Sequence, residues 1–130
     1  MVIDTSALLA IALLEPEVSS LLDMLDAADR RLISAASVVE AGMVAESRAG
    51  VLGGDRLDKI IVELGLEIEP VTASQARIAR SAYRSLGKGN HPAGLNFGDC
   101  FAYALAKAAA MPLLFRGDDF AKTDVLRPYV

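Results

Sequence analysis

Short apolar runs alternate with longer amphipathic stretches along this chain, and the two periods separate strands from helices. Val2 to Asp4 reads as a short strand, followed at once by a helix from about Ser6 to Leu14. Glu15-Pro16-Glu17 starts another helix, because proline is tolerated in a first turn and acids favour the positive end of the helix dipole. Val18, Leu21, Leu22 and Leu25 supply its apolar face. Arg31 to Ser34 predicts a second strand. Ser37 and Glu40 have capping-box spacing, opening a helix to Gly50, and a further helix covers about Asp55 to Leu64. Leu66 to Val71 is the third strand, and Thr72 with Gln75 opens a helix to Leu86 that stops at Gly87-Lys88-Gly89. After a loop to Leu95, Asn96 caps a helix through Ala110, with Phe97, Phe101, Leu105 and Ala108 assigned to its inward face. Pro112 ends it, Leu113 to Arg116 is the fourth strand, and a short tail follows Gly117.

Strands joined through helices pair in parallel, which predicts a three-layer α/β/α fold around a parallel sheet of about four or five short strands. The length, 130 residues, fits one domain spanning residues 1–130. Apolar residues make up 53% of the chain, a surplus that can cover an interface. The longest early apolar run, Ala7 to Leu14, is too short to cross a membrane and lacks the flanks of a signal peptide, so a cytoplasmic protein is expected. One cysteine, Cys100, and one histidine, His91, exclude an internal disulfide and a four-ligand Cys/His zinc site. A net charge of −4 means that a polyanion must meet a local basic stripe or a metal.

In open parallel sheets, ligands bind outside the carboxyl ends of the strands. Asp4 ends the first strand, Asp118 and Asp119 follow the fourth, and Glu40 lies in the first turn of the helix after the second. Asp99 opens the helix that feeds the fourth strand, so it reaches this edge if that helix starts there. Carboxylates converging in a low-dielectric cleft repel strongly unless a cation sits among them. An all-oxygen donor set suits Mg²⁺ or Mn²⁺, and such an ion makes water a stronger nucleophile toward a phosphodiester.

These segments together resemble the PIN-domain family, specifically VapC-type toxins of bacterial toxin–antitoxin modules. The resemblance is carried in order by Val2-Ile3-Asp4-Thr5-Ser6-Ala7-Leu8, Ser37-Val38-Val39-Glu40, Leu95 to Ala104 with Asn96-Phe97-Gly98-Asp99 inside it, and Leu113 to Phe120. It implies a Mg²⁺- or Mn²⁺-dependent endoribonuclease that cuts tRNA or rRNA, arrests translation, is inhibited by a VapB-like antitoxin and forms a homodimer. It also implies that Asp4 and Asp99 bind metal most directly, that Glu40 is the second acid, and that Asp118 or Asp119 is the fourth. Thr5 or Ser6 would steady Asp4.

Other residues carry blander alternatives. Arg77, Arg80 and Arg84 form a stripe continued by Lys88, either a solvated face or a grip on RNA phosphates. Arg116, beside the acids, is a candidate contact to substrate. Cys100 reads as a small buried hydrophobe, His91 as a loop residue, and the Phe97 and Phe101 pair as core. Two rival functions fit the same sheet edge. One is an acid-cluster phosphatase or phospho-acceptor domain, although Ser6 stands where such a phosphatase would place its second Asp. The other is an inactive interaction module of the same fold.

Overall fold

The computed structural model describes residues 1–128. Four short strands, β1 (Val2–Ile3), β2 (Leu32–Ser34), β3 (Glu67–Glu69) and β4 (Leu113–Leu114), form one parallel sheet in the spatial order β3-β2-β1-β4. The helices are α1 (Thr5–Ala12), α2 (Val18–Asp26), α3 (Ala35–Glu63), α4 (Ala73–Leu86) and α5 (Phe97–Ala109).

Both faces of the sheet are covered, and successive residues of each inner strand point to opposite sides. Val2, Leu32 and Leu113 are buried in one core cluster with α4 and α5, around Ala79, Ala102 and Leu105. Ile3, Ile33 and Leu114 are buried in the other with α1, α2 and α3, around Leu8, Leu25 and Leu57. These dipeptides, apolar on both sides, are why strands of two or three residues hold their register between helical layers. The expected α/β/α architecture is the one observed.

The chain builds β1, β2 and β3 outward in one direction, then crosses back to lay β4 on the other side of β1. The strand order therefore reverses between β1 and β4, and the crevice of such a sheet opens at that reversal. Asp4 follows β1 and Asp118-Asp119 follows β4, so both flank this crevice.

Two expectations are corrected. Helix α3 begins at Ala35, capped by Ser34, whose hydroxyl accepts from the Ala36 N–H at 3.2 Å. Ser37 is therefore inside the helix and Glu40 lies in its second turn; a β-strand that ends on a hydroxyl residue supplied an earlier cap than the Ser37 box. The two helices expected over 37–64 are both present within Ala35–Glu63 and meet at a kink at Gly50, the expected end of the first, whose φ of 66° and ψ of −159° are non-helical. The inward face of α5 is carried by Asp99, Cys100, Ala102, Tyr103 and Ala106 as well as Leu105, while Phe97 is 79% exposed and Ala108 is exposed. Small residues face inward because α5 packs closely on α4 and the sheet.

Candidate active site

Asp4 follows β1 and caps α1: its Oδ2 accepts the Ser6 backbone N–H at 2.9 Å. The residue is buried, 3% exposed. Burial pushes its carboxyl above the ordinary range and the Glu40 charge adds to this, against the pull of the Ser6 hydroxyl and N–H and the Thr5 N–H. Ser6 is thus the residue that steadies Asp4, and its Oγ is fixed in turn by the Arg116 backbone N–H at 3.0 Å. The Thr5 side chain does something else. Its hydroxyl donates to the Ser37 carbonyl at 3.3 Å and ties α1 to α3.

Asp99 sits in the first turn of α5 in a reciprocal capping box with Asn96. Its Oδ2 accepts the Asn96 N–H at 3.0 Å, while Asn96 Oδ1 accepts the Asp99 N–H at 2.9 Å. Burial raises the Asp99 carboxyl from 3.8 to about 7, the Asn96 N–H opposes the rise, and the neighbouring Asp4 and Asp119 carboxylates reinforce it. The inferred start of α5 at the carboxyl edge is therefore what the structure has: Asp99 lies within electrostatic reach of Asp4 and contacts Asp119.

Glu40 is brought to the same place from α3. A Cβ on Gly98 would collide with the Glu40 carboxylate, so this glycine lets α3's acid lie directly against the first turn of α5. In the sequence, the one signal of this role is a glycine inside a helical first turn, where alanine would be more stable. The structure also separates the last two acids. Asp119 contacts Asp99, whereas the carbonyl of Asp118 closes a turn by accepting from the Ala121 N–H at 3.0 Å.

Among the described residues, no lysine or arginine pairs with Asp4, Glu40, Asp99, Asp118 or Asp119. Nor do any three Asp, Glu, His or Cys side chains close around one point there as ready ligands. The donor chemistry nevertheless fits a hard cation that takes one or two carboxylates directly and keeps several waters. Ser37, whose carbonyl accepts from the Thr5 hydroxyl, has a buried Oγ with no hydrogen-bond partner among the described residues.

The remaining candidates divide. The Arg116 guanidinium pairs with Glu15 at 2.9 Å and Glu17 at 3.2 Å at the start of α2 and stays partly exposed. Arg80, Arg84 and Lys88 line a cleft between α4 and α5, while Arg77 lies on another groove beside Lys107. Cys100 is a free, buried thiol. His91 Nδ1 accepts from the Ala93 N–H at 3.0 Å and shapes its loop.

Comparison with known proteins places this geometry. The PIN-domain family model matches residues 1–126. The chain belongs to the PIN-domain family. Within it, Ribonuclease VapC30 of Mycobacterium tuberculosis is 48% identical over 125 residues, covering 96% of this chain and 95% of that protein. Ribonuclease VapC of Mycolicibacterium smegmatis is 50% identical over 125 residues, covering 96% and 97%. The PIN fold itself recurs in the crystal structure of Mycobacterium tuberculosis VapC20, described as a sarcin-ricin loop cleaving toxin, with a TM-score of 0.77 at 16% identity over 98% of both chains. A toxin-antitoxin complex from Klebsiella pneumoniae matches with a TM-score of 0.72 at 18% identity, over 98% of this chain and 97% of that one. This PIN-domain protein is accordingly a ribonuclease of the VapC type, and the phosphatase and inactive-module readings are set aside. Among the described residues, no helix is long and apolar enough to cross a membrane.

Proposed function

We propose that this VapC-type ribonuclease is a Mg²⁺- or Mn²⁺-dependent endonuclease in which Asp4 and Asp99 hold the ion and Glu40 and Asp119 act beside them. One observation carries the reading: two buried carboxylates, one after β1 and one in the first turn of α5, lie within reach of each other with no cationic side chain paired with either among the described residues. Burying paired carboxylates without a counter-charge is unfavourable, and a divalent ion removes that cost.

When bound, the ion supplies an acidified water and charge neutralisation at the phosphate. The protein's part is orientation. Ser6 and the Asn96 N–H each fix one oxygen of a liganding acid and so set the direction of its carboxylate. Glu40, which lies against α5 because Gly98 has no side chain, and Asp119 stand where they can order water and accept a proton.

The same proposal makes the chain a cytoplasmic toxin that cuts tRNA or rRNA and is restrained by a VapB-like antitoxin. Relatives named as VapC ribonucleases, and a neighbour that is a toxin-antitoxin complex, support it. Self-association into a homodimer belongs to it too, with exposed Val39, Met43, Val51 and Leu52 on α3 as the apolar surface available.

Incubating purified protein with total RNA tests the enzymatic core. Discrete cleavage with Mn²⁺, abolished by EDTA and restored by excess Mn²⁺, is the expected result. Undiminished cleavage in EDTA would refute metal dependence.

A further inference from the structure

From Pro70 to Gly98 the sequence contains no Asp or Glu, yet it carries Arg77, Arg80, Arg84 and Lys88 in a chain of net charge −4. None of these four forms an ion pair among the described residues, whereas Arg30, Arg31, Lys107 and Arg116 all do. The molecule therefore keeps a local cationic strip on α4 and its exit against its overall charge.

Three members of that strip, Arg80, Arg84 and Lys88, border a cleft of about 830 Å³ between α4 and α5. Its other walls include the aromatic side chains Tyr83, Phe97 and Phe101. Phe97 meets Phe101 edge to face at 4.9 Å and is otherwise open, 79% exposed on the first turn of α5. Packing does not explain so large an apolar side chain at that position. Asn96, which holds Asp99, also borders the cleft, so the aromatic surface begins where the acid site ends.

An apolar aromatic surface edged by unpaired cations is complementary to a nucleotide, which presents a π face and a negative phosphate together. We propose that this cleft is a nucleobase subsite: a base next to the scissile bond stacks on Phe97 while the adjoining phosphates lie against Arg80, Arg84 and Lys88. The inference rests on the ribonuclease reading of the acid site and adds where the substrate is held. It also divides the basic stripe, because Arg77 faces a different groove.

Binding of a fluorescein-labelled single-stranded oligoribonucleotide, followed by anisotropy in EDTA, tests this without cleavage. Phe97→Ala is expected to weaken binding about 5- to 150-fold, the effect of losing one stacked base. The same variant should leave binding of a fully abasic oligomer unchanged. Arg80→Ala with Arg84→Ala should reduce the slope of log affinity against log salt by about 1.4, from about 0.7 per lost phosphate contact on a single strand. Arg77→Ala should not reproduce the Phe97 effect.

Equal affinity of the parent and Phe97→Ala, or no binding by the parent, overturns the subsite. So does sedimentation showing that Phe97→Ala splits a dimer while RNA affinity stays the same, which would give the cleft to a second copy of the chain. Cleavage with Mn²⁺ is scored separately. A parent that cuts RNA while Phe97→Ala binds normally loses the subsite and keeps the ribonuclease; a parent that binds but never cuts loses the ribonuclease reading.

Discussion

Asp99 and Asn96 hold each other at the first turn of α5, each side chain accepting the other's backbone N–H, at 3.0 and 2.9 Å. One carboxylate thus closes a helix end and faces the acid site. The two duties come apart by substitution. An asparagine at position 99 keeps an acceptor for the Asn96 N–H and removes the charge, so Asp99→Asn should stay folded with activity down by about 10²-fold or more. Asp99→Ala loses the cap bond as well, which costs about 0.5–2 kcal/mol. Cleavage assays and thermal melts of both variants check this; an active Asp99→Asn would mean that the residue is only a cap.

Gly98→Ala separates geometry from stability in the opposite direction. Alanine is the better helix former by about 1 kcal/mol, but its Cβ would displace the Glu40 carboxylate. The melting temperature should hold or rise while activity falls about 10- to 100-fold, as when an orienting contact in a metal site is lost. Parent-like turnover would show that Glu40 is not needed where it lies.

Asp119 lies close enough for its charge and hydrogen bonding to raise the Asp99 carboxyl, while the backbone carbonyl of Asp118 serves a turn. Asp119→Asn should lower activity about 10-fold or more, with Asp118→Asn close to the parent. Matched rate measurements on the two variants decide it, and the reverse order would move the fourth acid to Asp118.

The pH dependence of the metal-free protein follows from the buried acids. Asp99 is raised from 3.8 to about 7, and Asp4 is shifted in the same direction, both chiefly by burial. The folded state keeps protons there that the unfolded chain releases, so this stability is full below 3.8 and is lost as pH rises through about 7. Asp124, held low by Lys107 and Tyr103, works in the opposite sense and only below its ordinary value of 3.8. In EDTA the melting temperature should therefore be higher at about pH 5 than at about pH 8, and Mn²⁺ should narrow the gap by stabilising the ionised acids at the higher pH. A flat melting profile would contradict the buried-acid account.

Much of this was legible in the sequence. Apolar dipeptides and helical periods gave the strands and helices their order, and the end-of-strand rule picked out Asp4, Asp118 and Asp119. What escaped it depends on contacts between distant segments. The Ser37 box lost to Ser34 because the cap is decided by where β2 stops. Phe97 turned outward because α5 packs on α4 through small residues, which a search for large apolar side chains overlooks. Arg116 is claimed by Glu15 and Glu17, a pairing no local spacing reveals. Gly98 matters only through Glu40, 58 positions earlier by residue number.

The central claim is that Asp4 and Asp99 share a divalent ion, and titration of the EDTA-treated, dialysed protein with Mn²⁺ by calorimetry tests it most directly. The parent should bind Mn²⁺, and folded Asp99→Asn should bind it at least about tenfold more weakly. Equal Mn²⁺ affinity in the two proteins would contradict the account.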